Sequence, residues 1–298
     1  MKIEALRAAA RTWNAEFAEN AEVRTLLTLR IGGRARFLLR PDSWPSAEAL
    51  LGVLDGEGIP FRILGAGSNV LASDGELPFG VVLLRRLGGT VRWSGQEAEA
   101  AADVLLPALA AESVRRGLRG MEGMGGIPGT VGGAVIMNAG AFGCEMAPLI
   151  REVGLIEPGQ GLVWHPASDF SFAYRRTDVA KKGVVAACRL RFEAGDREEI
   201  RSAFERNQAL RTERQPKGAL TSGSVFMNPP GDFAGRILDE LGFRGRRRGD
   251  AGFSDKHANW LVNHGAARFE DAWGLCDEAR RAALQAGHSL EYEVEVWA

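Results

Sequence analysis

Gly125-Gly-Ile-Pro-Gly-Thr-Val-Gly-Gly-Ala-Val-Ile-Met-Asn-Ala-Gly-Ala-Phe-Gly143 packs seven glycines into nineteen residues. Each glycine costs roughly 0.5–1 kcal/mol in a regular element relative to alanine, so such a run implies that bare backbone is needed close to something. Main-chain N–H groups at glycine turns can cradle anions, and missing side chains let a large flat ligand lie against the chain. A linker between domains would be polar. Here Ile127, Val131, Val135, Ile136 and Met137 interleave the glycines, which favours a cofactor-binding loop.

A second glycine loop lies upstream. Phe61-Arg-Ile-Leu64 reads as a buried strand and runs into Gly65-Ala-Gly67-Ser68-Asn69. The dinucleotide fingerprint needs a third glycine, and Val70 stands in its place. Two glycine loops on adjacent domains suggest one long ligand, such as a dinucleotide, lying between them.

Around these loops the pattern is mixed. Ile3, Leu6, Ala10 and Trp13 recur at helical spacing. Residues 28–40 read as strand, Gly32-Gly33 turn and strand, with a helix over 46–56. Residues 79–103 are strand-rich, Leu105–Arg116 is a helix, and strands return at 153–156, 162–164 and 184–192. From Arg197 the chain becomes charged helix. Asp232 is the expected N-cap of a helix through Ile237, Leu238 and Leu241. A long helix over 268–286 stops at Gly287. Leu290-Glu-Tyr-Glu-Val-Glu-Val-Trp297 alternates strictly and reads as a strand with Glu291, Glu293 and Glu295 on one face. The domains expected are 1–75, 76–195 and 196–298, with residues 289–297 returning to the active site.

The 298 residues carry net charge −1, which gives no electrostatic case for nucleic acid or an anionic membrane. Cys144, Cys188 and Cys276 are scattered and lack metal-ligand or disulfide-framework spacing, and the four histidines form no metal set. No metal site is expected. The first thirteen residues lack the apolar region of a signal peptide, and no stretch approaches the ~18 apolar residues of a membrane span. The expected location is the cytoplasm. No Gly-x-Ser-x-Gly elbow supports a hydrolase. Arg175 reads either as a bidentate anion clamp or as a surface arginine, Ser224, in a stretch of hydroxyls with a Gly and an Asn-Pro stop, as a turn residue, and Arg244–Arg248 as a phosphate-attracting loop or a solvated face.

Seven segments, in order, resemble the UDP-N-acetylenolpyruvoylglucosamine reductase family. They are Thr28-Leu-Arg-Ile-Gly-Gly33, Leu64–Leu71, Gly126–Ala134 with its continuation Asn138–Gly143, Tyr174-Arg175, Gly223-Ser-Val-Phe-Met-Asn-Pro229, Ser254–Trp260 and Glu291-Tyr-Glu-Val294. The resemblance spans about Thr28 to Val296. It implies an α+β chain, with a two-part FAD-binding fold of the vanillyl-alcohol-oxidase type and a third α+β substrate-binding domain. It implies NADPH-dependent reduction of UDP-N-acetylglucosamine enolpyruvate to UDP-N-acetylmuramate through bound FAD, a step of peptidoglycan precursor synthesis.

By the same resemblance, FAD is expected at Arg30, Gly65, Ala66, Gly67, Ser68, Asn69, Gly126, Ile127, Pro128, Thr130, Val131, Gly132, Gly133, Ala134 and Asn138. No His or Cys lies within Gly126–Ala134, so a non-covalent flavin is expected. Tyr174, Asn228 and Lys256 are expected at the substrate. Arg175 and Glu293 would face the enolpyruvyl carboxylate, and Ser224 would donate the proton. Met227 stands where lysine is common and Phe142 where tyrosine is. The short interval from Arg175 to Ser224 matches a compact subtype lacking a tyrosine-bearing substrate loop. The alternatives from other classes are an FAD-dependent alcohol oxidase and a non-catalytic nucleotide-binding module.

Overall fold

The computed structural model describes residues 2–298. The chain divides into two compact units. The first takes the chain up to Glu19, then Phe37–Ala66 and Phe79–Leu210; the second takes Asn20–Arg36, Gly67–Pro78 and Arg211–Ala298. Residues 1–75, expected from sequence to form one domain, are thus shared by both units. No helix among the described residues is long and apolar enough to cross a membrane.

The first unit has two larger sheets. Phe61–Leu64 pairs in parallel with Gly80–Leu83, whose Val81 and Val82 pair in parallel with Leu38 and Leu39. All four residues of Gly80–Leu83 are buried, as a parallel strand covered on both faces requires. Leu6 and Ala10 of helix Lys2–Thr12 and Leu50, Leu51 and Leu54 of helix Trp44–Gly56 close this core. Trp13, read as part of the same apolar face, is 43% exposed.

The other sheet is antiparallel, in the order Gly161–Pro166, Ile150–Glu157, Val184–Arg191, Glu97–Ala101, Val91–Ser94. Helix Leu106–Arg115 and the glycine run pack on it through Leu106, Leu109, Val131 and Val135. The glycine run is not all loop. Val131–Ile136 is a short helix, and Thr130 caps it by accepting the Gly133 N–H at 3.4 Å.

In the second unit Leu220–Ser224, Trp260–Asn263, Ala251–Phe253 and Arg247–Arg248 form an antiparallel sheet in that order. Helices Ala234–Glu240 and Phe269–Gln285 share its core through Ile237, Leu238, Leu275 and Cys276. Residues 20–36 and 67–78 join this unit through main-chain bonds. Gly33 N–H donates to Ser73 O at 2.6 Å and Ser73 N–H to Trp297 O at 2.7 Å. The side chain of Asp74 accepts the Phe269 N–H at 2.7 Å.

Three sequence expectations are corrected here. Residues 28–33 are not a strand; Arg34–Arg40 is the first strand of that stretch. The N-cap of Ala234–Glu240 is Phe233, not Asp232, and Asn228 Oδ1 accepts the Ala234 N–H at 3.0 Å. Asp232 instead pairs with Arg236. The closing alternation is regular strand only over Glu295–Trp297, which pairs in parallel with Val70–Ala72. Before it, the N–H groups of Glu293 and Val294 both donate to Val225 O, at 2.8 and 3.3 Å. Two residues opposite one is a bulge, and it breaks the period of two.

His257 links this unit to pH. Burial, and then the nearby Arg244 charge, hold its imidazole below the ordinary histidine value of 6.5. Its Nδ1 accepts the Asn259 N–H at 3.3 Å, which needs an unprotonated nitrogen. The folded state therefore binds the proton less readily than the unfolded one. That contribution to stability is complete above the unfolded pKa of about 6.5 and is lost as pH falls through the lower folded value. Urea midpoints followed from pH 7.5 to 5 should fall more steeply for wild type than for His257→Gln. Parallel slopes would refute this role.

Candidate functional site

The two glycine loops meet in the first unit. A Cβ on Gly65 would lie 2.6 Å from Thr130 Oγ1, so only glycine fits there. Thr130 is buried and faces Gly65 and Gly133 with the same hydroxyl. The amides beyond it are already used. Val131 N–H donates to Val104 O, Gly132 N–H to Ala102 O and Ala134 N–H to Thr130 O, at 2.8, 2.9 and 2.9 Å. This stretch is therefore a bare surface rather than an amide cradle for an anion.

The individual glycines differ in task. A Cβ on Gly132 would lie 2.9 Å from Ala102 Cβ, inside the protein. Gly133 is exposed, and a Cβ there would meet nothing nearer than Thr130 Oγ1 at 3.7 Å. Segment 102–106, which backs the loop, is itself pinned by buried Asp103. Its carboxylate accepts Leu87 N–H at 2.7 Å, Gly89 N–H at 3.2 Å and Trp44 Nε1–H at 3.3 Å. Sequence reasoning missed Asp103, whose lone acidic side chain carries no motif.

Tyr174 and Arg175 are the two turn residues of a hairpin joining Phe172–Ala173 to Arg176–Thr177. Arg175 has φ +58°, a left-handed conformation that a turn normally gives to glycine or asparagine. Its guanidinium donates to Asn138 O and Gly140 O and lies 4.8 Å from the Tyr174 ring centre. Two carbonyls and a ring thus fix the plane of the fork. Asn138 is buried; its Nδ2 donates to Ala173 O at 3.0 Å and its Oδ1 accepts Ala147 N–H at 2.9 Å. Its side chain ties the hairpin to the glycine run. Among the described residues only seven non-glycines have positive φ, and Arg30, Asn138 and Arg175 are three of them.

The second unit gathers the other candidates. Gly67, at φ +68°, lies where a Cβ would be 2.4 Å from Leu26 O. Thr28 N–H donates to Gly67 O at 3.0 Å, and Thr28 Oγ1 to Thr221 O at 2.6 Å. Asn69 Nδ2 donates to Glu293 O at 2.9 Å, and Glu295 N–H to Asn69 O at 2.9 Å. The phosphate-type loop is thereby tied to the segment that carries Glu293. Asn263 Nδ2 holds Leu29 O at 3.0 Å, next to exposed Arg30.

Ser224 ends its strand opposite Trp260, after a register shift that follows Thr221. The next residues run beside 291–294, with Met227 N–H donating to Glu291 O at 2.8 Å. Ser224 and Glu293 therefore belong to neighbouring extended segments. Glu293 is half-buried, whereas Glu291 and Glu295 are exposed. The bulge at Val225 separates the three glutamates that alternation leaves equivalent.

Lys256 is exposed on a loop whose Lys256 and Asp255 carbonyls accept from Arg244, the former at 2.8 Å. Arg244, Arg246 and Arg248 pair with Asp239, Glu278 and Asp271. The basic loop thus braces its own unit. Asn228 is exposed, its Oδ1 engaged at the helix start described above.

The residues present fit a flavin. Bare, exposed backbone at Gly133 offers a flat approach. Gly133→Leu should leave the fold intact and lower bound flavin, because its side chain enters open space. Gly132→Val should lower the melting temperature, because its side chain enters the Ala102 packing. Absorbance per folded protein, read beside thermal melting, separates the two. Equal flavin content in wild type and Gly133→Leu would remove Gly133 from the flavin site.

Residues 35–165 match the family model for an FAD binding domain. Residues 215–297 match that for the C-terminal domain of UDP-N-acetylenolpyruvoylglucosamine reductase. A reductase of that name from Oleidesulfovibrio alaskensis is 40% identical over 281 residues, covering 91% of this chain and 94% of that protein. The reductase from Moorella thermoacetica is 38% identical, covering 91% of this chain and 89% of that protein. The crystal structure of the Thermus caldophilus reductase superposes with a TM-score of 0.79 at 34% identity, covering 95% of this chain and 99% of that one. With both family models matched and its relatives aligned over nearly their whole length, the chain belongs to the UDP-N-acetylenolpyruvoylglucosamine reductase family and has its α+β FAD-binding fold.

Proposed function

We propose that this chain reduces UDP-N-acetylglucosamine enolpyruvate to UDP-N-acetylmuramate, using NADPH and non-covalently held FAD, in peptidoglycan precursor synthesis. The observation that carries the reading is the pairing, in one unit, of the Ser224 and Glu293 segments through Val225 and Met227. Family membership supports the substrate and cofactor. We assign the C-terminal stretch of the second unit, residues 211–298 rather than the 196–298 expected from sequence, to substrate binding, a reading supported by the family model over 215–297. We assign the reaction to the cytoplasm, which three unpaired cysteines favour.

When bound, FAD would supply the hydride chemistry between NADPH and the terminal carbon of the enol ether. The chain's own residues manage charge and the proton. Hydride addition at that carbon pushes charge toward the carboxylate. Arg175 would meet it with a planar fork already fixed by two carbonyls, so little reorganisation is needed. Glu293 would hydrogen-bond the same group from its half-buried position. Ser224 would give its hydroxyl proton to the carbon beside the carboxylate. The product thus gains one hydride and one proton across the former double bond. Tyr174 would order the substrate beside Arg175, and Asn228 and Lys256 its nucleotide end.

Adding NADPH and the enolpyruvyl sugar nucleotide to purified protein should give NADPH oxidation matched by product. NADPH oxidation that needs no sugar nucleotide would overturn the assignment.

Ser224→Ala should separate the half-reactions. Reduction by NADPH needs no proton at the sugar and should keep its rate. Reoxidation by the enolpyruvyl substrate should slow by roughly 100- to 10,000-fold, the usual worth of general acid catalysis. Stopped-flow traces of each half decide it; equal slowing of both would make Ser224 a support of the fold. Among Glu291→Gln, Glu293→Gln and Glu295→Gln, only the second should lose turnover severely, by about 100-fold or more. A dead Glu291→Gln beside an active Glu293→Gln would shift the assignment by two residues.

A further inference from the structure

Asn259 is 2% exposed and spends its whole amide on one neighbouring residue. Its Oδ1 accepts the Phe226 N–H at 2.9 Å, and its Nδ2 donates to Phe226 O at 2.8 Å. Its own carbonyl accepts the Val225 N–H at 2.8 Å. The side chain thus imitates a strand partner for one residue, at the point where the pairing of Leu220–Ser224 with Trp260–Asn263 ends. On its other side, the same short segment serves residues 291–294. Val225 O accepts from Glu293 and Val294, Met227 N–H donates to Glu291 O, and the Phe226 ring stacks on Tyr292 at 5.1 Å.

Val225-Phe226 is therefore a strut with Asn259 on one side and Glu293 on the other, and Ser224 is the residue before it. Beyond residue 224 the regular ladder with Trp260–Asn263 is gone, so on that side Asn259, through its amide and its own carbonyl, sets the register of the strut against which residues 291–294 bond. An amide is the group that can do this, because it carries a donor and an acceptor side by side. A carboxylate has no donor, and a hydroxyl cannot span both atoms of the facing peptide. We infer that Asn259 is a positioning residue that fixes Ser224 and Glu293 on one backbone frame, so that proton donor and carboxylate partner act on the same substrate carbon chain. The inference rests on the roles proposed above for Ser224 and Glu293.

Asn259→Asp keeps the acceptor for Phe226 N–H and loses the donor to Phe226 O. Flavin content and the NADPH half-reaction should match wild type. The half-reaction with the enolpyruvyl substrate should slow by about 10- to 100-fold, the usual penalty for a misplacement on the order of 1 Å. The loss should fall on kcat rather than KM. The solvent deuterium isotope effect on that half should rise, because proton delivery becomes limiting. Independently of activity, amide exchange should accelerate together at Phe226 and Glu293. Asn259→Ser serves as a second variant, with the same expectations.

Wild-type values for the enolpyruvyl half-reaction, its isotope effect and exchange in both variants would overturn the inference. So would loss of folding or of flavin in both, which would make Asn259 a general support of its unit. A wild-type protein that cannot be reoxidised by the enolpyruvyl substrate would instead sink the proposed function, before any Asn259 variant is compared.

Discussion

The first unit depends on a contact between a bare main chain and a hydroxyl. Gly65 and Thr130 approach so closely that a Cβ would sit 2.6 Å from Oγ1. That approach joins the end of a parallel strand to the start of a short helix, 65 positions apart in the chain. It also gives a reason for the glycines on either side. A side chain at Gly65 would part the two loops, whereas one at Gly133 would stand on their open surface. The amides of 131, 132 and 134 are absorbed by the protein. What the run presents is accessible backbone surface, and the rigidity of that surface comes from Asp103 holding the segment behind it.

The second unit is organised by side-chain amides. Asn69, Asn259 and Asn263 each bond a main chain far away in sequence: Glu293 O, both polar atoms of Phe226, and Leu29 O. An irregular segment cannot satisfy its peptide groups through a ladder, and a buried peptide without a partner is costly, about 1–3 kcal/mol. Asparagine meets that demand with one short side chain. Irregular backbone is thus stable where Glu293 is carried, and a bulge there separates it from Glu291 and Glu295.

Much of this was legible in sequence, for stated physical reasons. Phe269–Gln285 is long and periodic, and Val184–Arg191 and Phe61–Leu64 are apolar enough to read as strands, though of the latter, expected to be buried, only Leu64 is. The glycine loops announced themselves by composition. The closing strand misled because alternation reports which faces a strand would have, and not whether a partner is in register with it. Asp232 misled because an acidic residue near a helix start can pair with Arg236 as readily as it can cap. Asn138, Asn259 and Asp103 were unreadable as scaffold, since most of their partners are main-chain atoms and main chain has no sequence signature. The same limit hid the two-unit division, because residues 20–36 and 67–78 attach to each other and to the last strand through main-chain hydrogen bonds, such as Gly33 N–H to Ser73 O and Ser73 N–H to Trp297 O.

Arg175 shows how such hidden scaffolding bears on chemistry. A non-glycine residue in the left-handed region costs roughly 1–2 kcal/mol, so a turn with no other duty would hold glycine or asparagine at this place. The strain persists because the surroundings over-determine it. The guanidinium is held by Asn138 O and Gly140 O, and Asn138 is itself left-handed, at φ +40°, and buried with both amide atoms engaged. The unfavourable backbone of Arg175 is thus locked by one network of hydrogen bonds with Asn138. A surface arginine needs none of this, since a solvated charge is equally content on any regular turn. The arrangement surrenders local stability to hold a planar cation in one orientation, and that supports the role proposed above for Arg175, of meeting a developing carboxylate charge without first rearranging.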